Sequence, residues 1–86
     1  MEQDFANAVI RSKELTVRPS NEDLLTLYGL YKQSTEGDVT GERPGGFDFK
    51  GAAKYDAWAG KKGMAKEEAM KQYIDLIEHL HQQEAG

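Results

Sequence analysis

Leu24-Leu25-Thr26-Leu27-Tyr28-Gly29-Leu30-Tyr31-Lys32-Gln33 decides how this chain reads. It has the pattern of the middle of an amphipathic helix. Tyr28, Tyr31 and Lys32 stand at i, i+3 and i+4, so their side chains share one face. Leu24 and Leu25 lie one turn earlier on the same side. Two phenols, an ammonium and a leucine patch suit a ligand that is aromatic, anionic and greasy at once. The alternative is a helix with two core tyrosines and a solvated lysine, the commoner use of such a stripe.

Working outward, Ser20 is the candidate N-cap of this helix, and Glu22 and Asp23 put negative charge in its first turn. The helix should run from Asn21 to Glu36, with Gly37 ending it. Gly29 within it costs roughly 1 kcal/mol relative to Ala. Either it is simply tolerated or something approaches the backbone closely there. Upstream, Phe5, Val9, Ser12 and Leu15 follow the 3.6-residue period, predicting a helix over residues 3–15. Ser12 is expected to bond back to the carbonyl four residues earlier. Arg18-Pro19 breaks that helix, because proline cannot continue it and restricts the residue before it.

Downstream, residues 37–50 form the longest stretch without helical pattern, and connections of this length are often functional. Pro44-Gly45-Gly46 marks a turn. Phe47 and Phe49 are expected to pin the connection to the core, and Asp48 is the candidate cap of the next helix. A short third helix is read over residues 51–62, with Tyr55, Trp58 and Ala59 on one face and Lys54 beside it. The fourth should span residues 66–83, where Met70, Tyr73, Ile74, Ile77 and Leu80 give the cleanest periodicity in the chain. Ala65, at its N-cap position, supplies no capping oxygen. The expected fold is therefore all-α: four helices forming one domain, residues 1–86, with a long connection between the second and third helices that permits a crossing bundle.

Composition narrows the function. Fifteen acidic against eleven basic residues leave a net charge of −4. A nucleic-acid footprint would be basic, so no nucleic-acid partner is expected. The absence of Cys removes disulfides and thiolate metal sites. No apolar run approaches the roughly 20 residues of a membrane span, and no secretory or anchoring signal is visible. The expectation is a monomer in the cytoplasm. Catalysis would need a nucleophile beside a tuned acid or base. His79 and His81 point to different faces, and Ser20 and Ser34 have no local histidine. Glu78-His79-Leu80-His81 holds one Glu-x-x-His spacing, whereas di-metal bundles repeat it. Catalytic residues, metal ligands and cofactors are thus all expected to be none.

Taken together, Tyr28-Gly29-Leu30-Tyr31-Lys32-Gln33, Gly37-Asp38, Glu42-Arg43-Pro44-Gly45, Asp48-Phe49-Lys50-Gly51, Ala53-Lys54, Asp56-Ala57-Trp58 and Ala69-Met70-Lys71 with Tyr73-Ile74 closely resemble the acyl-CoA-binding protein family. The resemblance covers essentially the whole chain. It implies a four-helix bundle of up-down-down-up topology that binds medium- to long-chain acyl-CoA thioesters reversibly, as a carrier and pool former. Transient contact with membranes or acyl-CoA-using enzymes is a further expectation. By resemblance, the CoA headgroup would meet Lys13, Tyr28, Gly29, Leu30, Tyr31, Lys32, Lys50, Lys54 and Tyr73. Lys32, Lys54 and Tyr28 would hold the ribose 3′-phosphate, and Tyr31 and Tyr73 would flank the adenine and ribose. Lys13 and Lys50 would sit near the other phosphates or the pantetheine arm. Val9, Leu24 and Leu25 would line the acyl groove. The chain departs from the usual family pattern at Ser12, Gly46, Tyr55 and Ala65.

Overall fold

A computed structural model describes residues 1–85; Gly86, the last residue of the expected domain, lies outside it. Among the described residues there are four helices and no strands: α1 (Glu2–Ser12), α2 (Asn21–Glu36), α3 (Phe49–Ala59) and α4 (Lys66–Ala85). Ser20 caps α2 as expected, its hydroxyl accepting the Asp23 N–H at 3.1 Å. Asp48 caps α3, its carboxylate accepting the Gly51 N–H at 2.9 Å.

Helices α1 and α3 differ at both ends from those read in the sequence, and α4 runs two residues further than expected. The first helix stops at Ser12, not Leu15, because Lys13 and Glu14 turn back onto the carbonyls of Ile10 and Arg11. Leu15 keeps the apolar period without being helical, since it packs against the core from beyond that turn. The third helix covers Phe49–Ala59 instead of 51–62. Gly51 does not delay its start. A Cβ there would lie 2.3 Å from the Asp48 carboxylate, so the glycine makes room for the cap. Ser12 also differs in detail: its hydroxyl donates to the Val9 carbonyl, three residues back, at 2.6 Å.

The contacts fix the helix directions. Along α1 and α4 they rise together: Phe5 meets Tyr73, Arg11 meets Glu78, and Thr16, just beyond α1, meets Glu84. These helices are parallel. Along α2 and α3 they also rise together, Tyr28 meeting Lys54 and Lys32 meeting Trp58. The pair α2 and α4 runs antiparallel, since Tyr31 meets Tyr73 while Gln33 reaches the Met64 carbonyl. The order is up-down-down-up, and α4 is the central partner of both α1 and α2.

The core lies between those three helices. Phe5, Ala8, Leu27, Leu30, Ala69, Tyr73, Ile77 and Leu80 form it, with Leu30 and Ile77 essentially sealed from solvent. Phe5 packs edge-on against Tyr73, with ring centres 5.2 Å apart, a favoured aromatic geometry. Helix α3 joins the bundle through α2 alone. At that crossing Gly29 sits so close to α3 that an added Cβ would lie 2.4 Å from the Ala57 carbonyl oxygen. Close approach of two backbones therefore accounts for this glycine.

The connection between α2 and α3 is not held by its phenylalanines, as the sequence reading expected. Phe47 is 92% exposed and Phe49 74% exposed. Side chains of α3 reach back instead. Trp58 Nε1 donates to the Gly37 carbonyl at 2.7 Å, and the Tyr55 hydroxyl to that of Gly41 at 3.0 Å. Arg43 forks onto Asp56 at 2.8 and 2.9 Å. That guanidinium lowers the Asp56 pKa from the usual carboxylate range. Polar bonds thus fasten the segment that burial was expected to fasten. At its other neighbour, the buried Gln33 amide donates to Asp38 at 2.9 Å and to the Met64 carbonyl at 2.8 Å, tying the end of α2 to the start of α4.

Candidate functional site

Two adjoining grooves open on either side of the ridge made by Leu24 and Tyr28. The first, about 290 Å³, is walled by Leu15, Pro19, Leu27, Tyr31, Tyr73 and Ser12 as well as the ridge. It is an aromatic hollow, because α1 and α4 bring Phe5 and Tyr73 up to Tyr31. Burial pushes the Tyr73 hydroxyl above its ordinary pKa, with Ser12 beside it pulling the other way. The neutral phenol is therefore the form present at neutral pH. Ser12, which interrupts the apolar period of α1, thus places its polar atom on a groove wall.

The second groove, about 390 Å³, lies between α2 and α3. Leu24, Leu25 and Ala53 form its apolar floor, and Arg18, Lys50 and Lys54 its cationic rim. Lys54 Nζ stands 5.5 Å from the centre of the Tyr28 ring, within cation–π range. Among the described residues, Arg18, Lys50 and Lys54 take part in no ion pair. An acidic protein thereby carries a local cluster of uncommitted positive charge beside apolar surface. Such a rim attracts anions, and its long aliphatic stems extend the apolar wall.

The remaining expected site residues fall into three groups. Lys32 lies one turn beyond Tyr28, with its ammonium 4.8 Å above the Trp58 ring and paired with Glu36. The Glu36 carboxylate raises the Lys32 pKa, partly opposed by burial. Lys13 is exposed at the end of α1, next to Ser12 on the groove wall, but lines neither hollow itself. Val9, Gly29 and Leu30 also line neither. Val9 packs on the core, Leu30 lies in it, and Gly29 faces Ala57. The presence of Gly29 and Leu30 within the tyrosine–lysine run is explained by packing.

Arg18, read in the sequence only as part of a helix break, is not among the expected site residues. Its only sequence signal is a positive charge beside Pro19 in a connection, which gains meaning when that connection folds against α2. Glu84 in α4 holds the connection there. Its carboxylate accepts N–H bonds from Val17 at 2.8 Å and Thr16 at 3.2 Å, and the Thr16 hydroxyl at 2.9 Å. Those donors, the Val17 amide first, lower its pKa. Because the folded value is depressed, the stabilisation is present at neutral pH and is lost as pH falls through the folded value. Amide-exchange protection at Thr16 and Val17 should accordingly decline on acidification. Glu84→Gln should lower it at neutral pH; unchanged protection in that variant would rule out the clasp.

The Glu78–His81 pair has no metal-like arrangement. Glu78 pairs with Arg11 at 2.6 Å, and His81 Nε2 lies 2.8 Å from the Arg11 carbonyl oxygen. Among the described residues no group of His, Asp and Glu is placed to hold a metal ion, and no helix is long and apolar enough to cross a membrane.

Known proteins resemble this chain in sequence and fold. The family described as Acyl CoA binding protein matches residues 2–77. The acyl-CoA-binding protein of Brassica napus is 49% identical over 86 residues, all of this chain and 94% of that one. Acyl-CoA-binding protein homolog 1 of Caenorhabditis elegans is 50% identical over 80 residues, 93% of each chain. The crystal structure of Oryza sativa Acyl-CoA-Binding Protein 2 superposes with a TM-score of 0.93 at 44% identity, covering 98% of this chain and 93% of that one. With fold and sequence in agreement, this chain belongs to the acyl-CoA-binding protein family.

Proposed function

We propose that residues 1–86 form one acyl-CoA-binding domain that takes up medium- to long-chain acyl-CoA thioesters reversibly, without chemistry, as a monomeric carrier and pool former in the cytoplasm. The observation that carries this reading is the Leu24–Tyr28 ridge, which joins an aromatic hollow to a leucine groove with a cationic rim. Acyl-CoA has the same sequence of parts: an aromatic base, phosphates and a hydrocarbon chain. The adenine would enter the hollow beside Tyr31 and Tyr73. The 3′-phosphate would meet Tyr28 and Lys54 at the ridge, joined by Lys32 on release from Glu36. Lys50 and Lys13 would serve the remaining phosphates or the pantetheine arm, and the chain would lie along Leu24 and Leu25. Contact with membranes or acyl-CoA-using enzymes would then be transient.

The phosphate assignment is testable by itself. Lys54→Ala, or removal of the 3′-phosphate from the ligand, should each weaken binding by at least about tenfold, roughly 1.4 kcal/mol. Combining them should add little, because each deletes the same contact. Calorimetry that finds both changes silent would assign the 3′-phosphate elsewhere.

A further inference from the structure

We propose that the tip carrying Phe47 and Phe49 is a docking surface for an anionic lipid bilayer. Two large aromatic side chains stand 92% and 74% exposed within three residues of each other. Scattered exposed apolar residues are ordinary, but paired aromatic rings beside uncommitted cations are not. The polar bonds from α3 to the connection leave both rings unneeded for packing. Neither ring lines either groove.

The tip has a definite position relative to the site. Phe49 is one helical turn before Ala53, so the ring continues the ridge of α3 that walls the leucine groove. Lys50 and Lys54 flank that ridge, and Arg18 faces them across the groove. Of the nearby carboxylates, Asp56 is paired with Arg43. Asp48, which accepts the Gly51 N–H, and Glu42 keep their charge, so the three cations Arg18, Lys50 and Lys54 outnumber them by one. Aromatic rings at headgroup depth with cations just behind them are the combination that suits an anionic interface. Attraction is local, because screening confines the overall charge of −4 to within about 8 Å at physiological salt. A protein partner fits less well: Gly45 and Gly46 precede the rings in an exposed turn, giving a narrow tip with no broad apolar face around it. Docked in this way, the mouth of the leucine groove would face the lipid, and a hydrocarbon chain would pass between them with little exposure to water. That consequence rests on the ligand reading above; docking itself does not.

The test uses the ligand-free protein with vesicles of phosphatidylcholine, alone or with about 30% phosphatidylserine. Wild type should sediment with the anionic vesicles, less with the neutral ones, and less again at raised salt. Phe47→Ser combined with Phe49→Ser should lower partition by at least about tenfold, the loss expected from withdrawing two partly buried rings from the interface. Its thermal melting should be unchanged. In solution, Phe47→Ser alone should bind palmitoyl-CoA within about twofold of wild type, a ratio worth under half a kcal/mol. No partition of wild type into anionic vesicles would overturn the proposal, leaving the tip as a surface for protein or none. Equal partition of wild type and the double variant would overturn it too. A failure to bind palmitoyl-CoA in solution would instead count against the carrier reading.

Discussion

Gly29→Ala should destabilise the fold by about 2 kcal/mol and lower its melting temperature by roughly 10 °C. The new methyl group would lie 2.4 Å from the Ala57 carbonyl oxygen and 2.9 Å from its carbon. Both atoms are backbone, so no side chain can swing aside; α3 as a whole must retreat. The expected sign is informative because helix propensity argues the other way. Alanine in a helix interior is favoured over glycine by roughly 1 kcal/mol. A net loss therefore requires the clash to outweigh that gain. Helix α3 also carries Lys50, Ala53 and Lys54, so its retreat should widen the leucine groove and weaken ligand binding. Gly45→Ala is the control. It has no neighbour within 4 Å of an added Cβ and no positive φ, so stability should hold or rise slightly. Wild-type melting of Gly29→Ala would show that α2 and α3 are not in backbone contact.

Reversing charge at the groove rim should have the largest effect on binding. Lys50→Glu with Lys54→Glu should weaken palmitoyl-CoA binding by at least about a hundredfold, roughly 2.7 kcal/mol. Each charge-assisted contact is worth about 1.5–3 kcal/mol, and the new carboxylates would repel the phosphates as well. Both lysines are exposed and outside any ion pair among the described residues. Stability should therefore change little, which separates loss of binding from loss of fold. Free CoA should lose affinity by a similar factor, whereas raised salt should narrow the difference between variant and wild type. A variant that keeps wild-type affinity would remove the rim from the site.

The bundle was largely legible because its longest helices carry uninterrupted signals. Helix α2 begins at Asn21 behind the Ser20 cap and ends before Gly37, as its sequence indicates. The period of Tyr73, Ile77 and Leu80 places one face of α4 in the core, while Met70 and Ile74 pack beside it. Local pattern misled at Leu15, which is apolar in register yet lies beyond the turn that ends α1. It misled again at Phe47 and Phe49, since aromatic identity does not reveal whether other bonds already hold a segment. The candidate site was legible in part. Tyr28, Tyr31, Leu24 and Leu25 share a helix, so spacing alone groups them. Lys50, Lys54 and Tyr73 come from other helices, and only the resemblance linked them to that group. Arg18 had no such link and needed the fold.

The central claim is that one ligand must satisfy both the hydrocarbon floor and the cationic rim. Burying a chain contributes about 0.8 kcal/mol per CH₂, so a long acyl group supplies most of the affinity, while the headgroup supplies selectivity. Titration calorimetry of the wild-type protein with palmitoyl-CoA, palmitate and CoA in one buffer measures this directly. Palmitoyl-CoA should bind far more tightly than either fragment. Palmitate binding as tightly as palmitoyl-CoA would contradict the account, because the rim and the aromatic hollow would then contribute nothing.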